Sequence, residues 1–219
     1  DVAKRFDKEH ANKFGHLIVQ DANGRMKPMD TLSYEIVAKL NRSNEFLGLN
    51  PNQIVLGMML RPETWREIAI IHTADKEVNR LIGLPENTKN AAFSQFFEVP
   101  DRMGGYKLAS MVDEASRKAP GKRSKFDKAL LQIDERVNVA YMVYTGSLIR
   151  IWPKPNDLNN KWDATIESLQ TLDPRNAQLV KMLAIGYFMS IDEALKSGDW
   201  SKANEMLSKI DQYQHFVGA

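Results

Sequence analysis

Residues 10–40 read HANKFGHLIVQDANGRMKPMDTLSYEIVAKL. The run His16-Leu17-Ile18-Val19-Gln20 is β-type. Asp21-Ala22-Asn23-Gly24 then predicts a tight turn, because Asn and Gly tolerate positive φ. Arg25 to Met29 returns as a short strand, and Pro28 restricts it to an edge or a strand end. Apolar Leu32, Ile36, Val37 and Leu40 follow at helical spacing. Asp30 or Thr31 is positioned to cap that helix, and Glu35 to reach back toward its first turn. Upstream, Phe6, His10 and Phe14 recur every four residues and predict a short polar helix over 3–14. A β-hairpin held between two helices is therefore the N-terminal unit.

Outward from this unit the chain reads as helices. Asn50-Pro51 opens one, with proline at the first position. Pro62 to Trp65 starts a short one, and Asp75 to Ile82 forms another, stopped by Gly83 and Pro85. Glu67 to His72 is a second β-like run. Ala91 to Phe97 is expected to be helical. Leu108 to Ala119 ends at Pro120-Gly121. Ser124 caps a long helix to about Ile151, with Phe126, Leu130, Ile133, Val137 and Tyr141 on one face. Trp152 and Trp162 flank a Pro/Asn corner, since a residue before proline leaves the helical region. A short helix is expected over Trp162–Leu169. Pro174 opens a long helix to Lys196, Gly198 ends it, and Asp199 caps the last one, Trp200 to Phe216. The last two form an αα-hairpin. Its Ala194, Leu195, Trp200, Ala203 and Leu207 resemble a tetratricopeptide-like hairpin, but no repeat recurs at that period. The expected fold is mainly α: a helical domain with a small N-terminal β-hairpin or short sheet and a C-terminal αα-hairpin. It is read as one domain over 1–219, with lobes at 1–105 (mixed short elements) and 106–219 (long helices). A boundary is expected near Pro100-Asp101 or Pro120-Gly121.

The composition, 43% hydrophobic and 26% charged, is that of a folded protein. Thirty basic against 28 acidic residues leave a net charge of +2. That balance argues against a nucleic-acid partner. The basic cluster Arg117, Lys118, Lys122, Arg123, Lys125 and Lys128 has no interleaved aromatics and reads as a solvated loop and helix start. The chain has no cysteine, which removes disulfides, thiolate metal sites and thiol nucleophiles. No apolar run is long enough to span a bilayer, and the polar start DVAKRFDKEH is no secretory signal. The absent initial Met and the ending directly after a helix read as cuts from a larger protein.

The chemistry-bearing residues are sparse. The carboxylate pairs Glu63/Glu67, Asp134/Glu135 and Asp192/Glu193 read as surface pairs, not a proton-sharing dyad. No serine sits in a nucleophile elbow, and neither a P-loop nor a dinucleotide fingerprint is present. No catalytic residue and no metal site is assigned. Of the four histidines, His10 and His16 are the candidate haem ligands, since imidazole is a common axial ligand. Six residues apart, they fall on different faces of one helix, but a break between them could bring them together. The alternative reading makes His10 a half-exposed helix residue and His16 an exposed strand-end residue. Met58-Met59 with Phe93, Phe96 and Phe97 are read as core, or as lining of an apolar groove.

The blocks HANKFGHLIVQDANGRMKPMDTLSYEIVAKL, LGLNPNQIVLGMMLRPETWREIAIIHT, DERVNVAYMVYTGSLIRIWPKPNDLNNKW and LSKIDQYQ are spread over nearly the whole chain. Together they resemble the large extracytoplasmic domain of fused system II cytochrome c biogenesis proteins, the ResB–ResC (CcsB–CcsA) type of Bacteroidetes. The resemblance implies an integral membrane protein that moves haem outward and attaches it to apocytochrome c. The family's tryptophan-rich haem-handling segment and transmembrane histidines are absent here. Only His10 sits in a recognisable motif position, and His16 stands where many relatives have Arg, so the family's ligands do not carry over.

The resemblance thus implies a soluble domain on the periplasmic face of the cytoplasmic membrane. Its partners would be apocytochrome c and the membrane-embedded remainder of the same protein, with no direct small-molecule substrate. Haem belongs to the parent protein, a possible cytochrome c synthase (haem lyase), and none is expected on this domain alone. Lack of cysteine suits a domain working beside apocytochrome thiols, since it cannot form mixed disulfides. The alternative is a stand-alone α-helical protein-interaction module, without catalytic activity, that binds through the hairpin at 179–216.

Overall fold

Asp21–Gly24 forms the expected turn: Asp21 Oδ1 accepts from the backbone N–H of Asn23 (2.8 Å) and Arg25 (3.0 Å), and Gly24 takes φ +79°. In the computed structural model, residues 6–100 and 103–218 are described. Residues 3–5 of the expected first helix and Asp101 of the expected boundary lie outside them. The first helix, α1, runs Lys8–Gly15, capped by Asp7. Strands β1 (Ile18–Gln20) and β2 (Met26–Pro28) form the hairpin, and α2 spans Met29–Asn41. Neither Asp30 nor Thr31 caps α2, which begins directly after Pro28 without a side-chain cap. Asp30 Oδ1 instead accepts from Asn52 Nδ2 at 2.8 Å.

Helix α3 (Pro51–Leu60) opens on a capping box in which Asn50 and Gln53 each receive the other's backbone N–H. Then come α4 (Pro62–Trp65), β3 (Ile71–His72), α5 (Lys76–Leu81) and β4 (Asn90–Ala91). The helix expected over 91–97 is a 3-10 turn, Phe93–Phe96, between β4 and β5 (Phe97–Val99). Strand β6 (Gly104–Tyr106) pairs with β5, α6 covers Ala109–Arg117, and α7 covers Lys125–Tyr144. Strands β7 (Arg150–Pro153) and β8 (Trp162–Ala164) lead to α8 (Thr165–Thr171), α9 (Pro174–Ser197) and α10 (Ser201–Val217). The protein is mainly α, with a small antiparallel sheet and a terminal helix pair, as read from the sequence.

Helix α7 ends seven residues before Ile151, the end expected for it. Gly146, at φ +74°, turns the chain out of the helix. The apolar run that follows is strand rather than helix, and so is the start of the helix expected at Trp162. These strands extend the hairpin to four, in the order β2-β1-β7-β8. The β-like runs at 16–29 and 67–72 do not pair with each other: β3 pairs with β4, through Ile71↔Ala91 and His72↔Asn90.

Strands β1 and β7 share a single paired position, Gln20↔Arg150. Glutamine side chains supply the rest of the junction. Gln214 Oε1 accepts from Ile18 N–H at 3.0 Å, and its Nε2 donates to the carbonyls of Ile18 (2.8 Å) and Ile151 (2.9 Å). Gln20 Oε1 accepts from Trp162 N–H at 2.8 Å, and its Nε2 donates to Asn160 O at 2.9 Å. The buried apolar side chains form one cluster reaching from Phe6 to Tyr213. Among the described residues no helix is long and apolar enough to cross a membrane.

Candidate functional site

His10 lies fully buried where α1 meets the α9–α10 hairpin, not half exposed. The Nδ1 nitrogen is 2.8 Å from Asn204 Oδ1, and Nε2 is 2.9 Å from the Tyr187 hydroxyl. An amide oxygen can only accept, so Nδ1 carries the proton and Nε2 receives the tyrosine hydroxyl. The ring packs on Trp200, with centroids 4.9 Å apart. Burial holds the His10 pKa below its ordinary value, against the opposing hydrogen bond to Asn204. The imidazole is thus neutral, and both nitrogens are engaged. His16 is the exposed C-cap of α1, its backbone N–H bonded to Lys13 O. It lines a shallow cleft of about 210 Å³ with Lys13, Leu17, Asn204, Leu207, Ser208 and Asp211. The α1 surface therefore points the two histidines apart: one into the core, one to solvent. Among the described residues no group of three His, Cys, Asp or Glu side chains could hold a metal ion.

Half of the basic cluster is absorbed locally, while Lys122, Lys125 and Lys128 stay exposed. Arg117 pairs with Asp113 (2.7 Å), and Lys118 with Glu114 (3.2 Å) and Asp127 (3.0 Å). Arg123 donates to the carbonyls of Ala115, Lys118 and Ser116, closing the end of α6. Another charged group sits under the β7–β8 corner. Asp163 is buried, 2.9 Å from Lys154 Nζ and 3.4 Å from Lys161 Nζ, and accepts from the Thr171 hydroxyl at 2.6 Å. Burial works against its ionisation, but Thr171 and the two lysines outweigh that, and its pKa lies below the usual carboxylate range.

Three apolar features remain. A cleft of about 420 Å³ is lined by Phe93, Phe97, Met103, Tyr106, Val137, Asn138 and Tyr141. Two of the residues read from the sequence as groove lining, Phe93 and Phe97, do line it, whereas Met58 and Phe96 are wholly buried core. Its volume is within the range of small-molecule sites. A narrower cavity, about 170 Å³, lies between the end of α7, α8 and α9, with Tyr144, Ile149, Ile166, Tyr187 and Phe188 among its walls. That is room for one benzene-sized group.

The third feature is the outer face of α9, within the hairpin that the sequence offers as a binding surface, although its apolar character was not singled out there. Leu179 (42% exposed), Met182 (61%), Ile185 (46%) and Met189 (66%) all face solvent. Ile166 and Leu169 of α8 are exposed as well. The opposite face of α9 is core, through Val180, Leu183, Tyr187 and Ile191. The signal was present in the sequence: 179–191, LVKMLAIGYFMSI, holds one charged residue. A helix apolar all round is normally covered on every side.

Fold and surfaces together define the class: a mainly α domain whose accessible features include apolar surfaces lined by methionine and aromatic side chains. No family model matches the chain. Over its whole length, in 226 aligned residues, it is 37% identical to Protein NrfI of Wolinella succinogenes. The chain spans 24% of the length of that relative.

Proposed function

We propose that the chain is the extracytoplasmic domain of a membrane-bound cytochrome c maturation protein, and that it positions apocytochrome c or shapes the site where haem emerges. The observation that carries this reading is the similarity to NrfI along the entire chain. It supports a cytochrome c biogenesis relation without reaching the fused ResB–ResC arrangement. The motif blocks quoted above, spread over the same length, support the same relation. In this reading covalent haem attachment takes place elsewhere in the parent protein, on its periplasmic side. The domain offers what a positioning module needs: apolar surfaces on a rigid helical frame, with methionines that adapt to varied partners.

Deleting residues 6–218 in frame from the full-length gene in its host tests the reading. The expected result is loss of haem-stained c-type cytochromes while apocytochrome is still made, as read by immunoblot. Unchanged holocytochrome would overturn it. Compartment is read separately with Leu158→Cys. Position 158 is fully exposed and the chain has no other cysteine. A membrane-impermeant maleimide added to intact cells should label it if the domain faces outward. Labelling only after lysis would place it inside.

A further inference from the structure

The outer face of α9 carries a heptad pattern. Arg175, Leu179, Met182, Gly186, Met189 and Glu193 are spaced 4, 3, 4, 3 and 4, the spacing that keeps one seam along a helix. The seam is also self-complementary under reversal about residue 184. A copy of α9 laid antiparallel across it sets Leu179 against Met189, Met182 against Gly186, and Arg175 against Glu193. Each pair occurs twice, as a two-fold axis requires. At the centre Gly186 has no side chain of its own, and Met206 of α10 occupies that space, its Cε 2.6 Å from where a Cβ would stand, so the surface offered to Met182 of the second copy is a flexible thioether. Opposite charges meet at both ends. Arg175 is exposed and makes no ion pair among the described residues. Glu193 holds only an exposed contact with Lys202 at 3.4 Å.

We infer that α9 is a homodimer interface, pairing antiparallel with α9 of a second copy about residue 184, with Ile166 and Leu169 of α8 at its margin. One feature of the seam selects a second copy over an unrelated apolar partner: the charge reversal between its ends, Arg175 at one and Glu193 at the other. Size sets the strength. Six half-exposed large side chains present roughly 500 Å² per copy, so the pair buries about 1,000 Å², the lower bound of specific interfaces. The dimer is therefore weak and concentration-dependent.

Sedimentation of the chain should show a mass rising with concentration from 24.9 kDa toward twice that value. Met182→Glu puts a charge in the seam and should raise the dissociation constant at least about tenfold, with the helical circular dichroism and Tm unchanged because Met182 is exposed. Arg175→Glu and Glu193→Arg should each weaken the dimer, and the double variant should restore it. Cysteines introduced singly at Leu179 and Met189 should cross-link when the two variants are mixed under oxidation, and neither should do so alone. A chain that stays monomeric at sub-millimolar concentration overturns the inference. So does a dimer indifferent to Met182→Glu, or a double charge variant no better than the single ones. None of these outcomes bears on cytochrome maturation, so the two readings fail separately.

Discussion

The imidazole of His10 receives the Tyr187 hydroxyl at 2.9 Å, joining the first helix to the ninth across 177 residues of chain. With Asn204 on its other nitrogen and Trp200 against its face, it locks α1 onto the terminal hairpin. Replacing His10 by Ala leaves the buried Tyr187 hydroxyl and the half-buried Asn204 amide without partners and opens a void. The expected cost is about 3 kcal/mol, read as a lowered urea midpoint at unchanged m-value.

The same residue makes stability depend on pH. Its pKa is lowered in the fold by burial, so below about pH 6.5 the unfolded chain binds a proton that the folded chain refuses. The unfolded state then holds more protons, and stability rises with pH. The His10 contribution is full above the unfolded pKa and is lost as pH falls through the folded one. His72, lowered chiefly by burial as well, adds in the same direction. The urea midpoint of the native chain should drop between pH 7 and pH 5. His10→Gln should flatten that slope even though it is less stable at pH 7. An equal slope in both proteins would show that His10 does not carry the dependence.

Gln214 takes the place of missing ladder bonds between β1 and β7. Its amide serves Ile18 N–H, Ile18 O and Ile151 O together. Gln214→Leu keeps the bulk and strands three backbone groups, the Ile151 carbonyl buried and the two of Ile18 partly so, at a cost of about 2–4 kcal/mol. Amide hydrogen exchange should localise the effect. Ile18 N–H should lose protection well before the α9 core does. Uniform loss across the domain would mean that the sheet junction is not a separate weak point.

These two clasps mark the limit of what the sequence discloses. Local signals were legible. Asn23-Gly24 marked the hairpin, Asn50-Pro51 and Ser124 marked helix starts, and Gly198 marked the break between α9 and α10. Each of those acts within a few residues. Strand β7 was misread because Leu148-Ile149-Arg150-Ile151 continues the apolar content of α7, and its partner β1 lies some 130 positions away in the sequence. His10 shares a stripe with Phe6 and Phe14, but its burial was not read from it, because the groups that make burial tolerable, Tyr187 and Asn204, come from the other end of the chain. The α9 face was a failure of weighing: the hairpin at 179–216 was read as a binding surface in the alternative, but the apolar run at 179–191 within it was not singled out.

Gly57 is set by contact rather than by backbone angle. A Cβ there would run into the indole nitrogen and ring of Trp65, which is fully buried beneath α3. Tyr144 secures the other side of that turn by donating to Trp65 O at 3.1 Å. Alanine is the better helix former, so propensity alone predicts that Gly57→Ala stabilises by up to about 1 kcal/mol. Overpacking opposes it, and a rigid indole cannot yield as a flexible chain can, at about 1–3 kcal/mol. The net expectation is destabilisation, with altered Trp65 fluorescence in the folded state. A raised Tm would show that the indole has room to shift.

Haem titrated into the chain by itself tests the two histidines directly. At His10 an iron would have to displace either the Tyr187 hydroxyl or Asn204 inside the core, giving up hydrogen bonds and opening α1 from the hairpin. At His16 the imidazole is accessible, but the cleft beside it, about 210 Å³, falls short of the usual ligand-site range, and its walls offer no second imidazole or thioether. The expected result is no saturable Soret shift at stoichiometric haem, and no difference between the native chain and His16→Ala. A low-spin spectrum lost in His16→Ala would make His16 a ligand. One lost in His10→Ala, with the His10→Gln fold intact, would mean that the α1 clasp opens to admit iron, and would turn a structural histidine into a functional one.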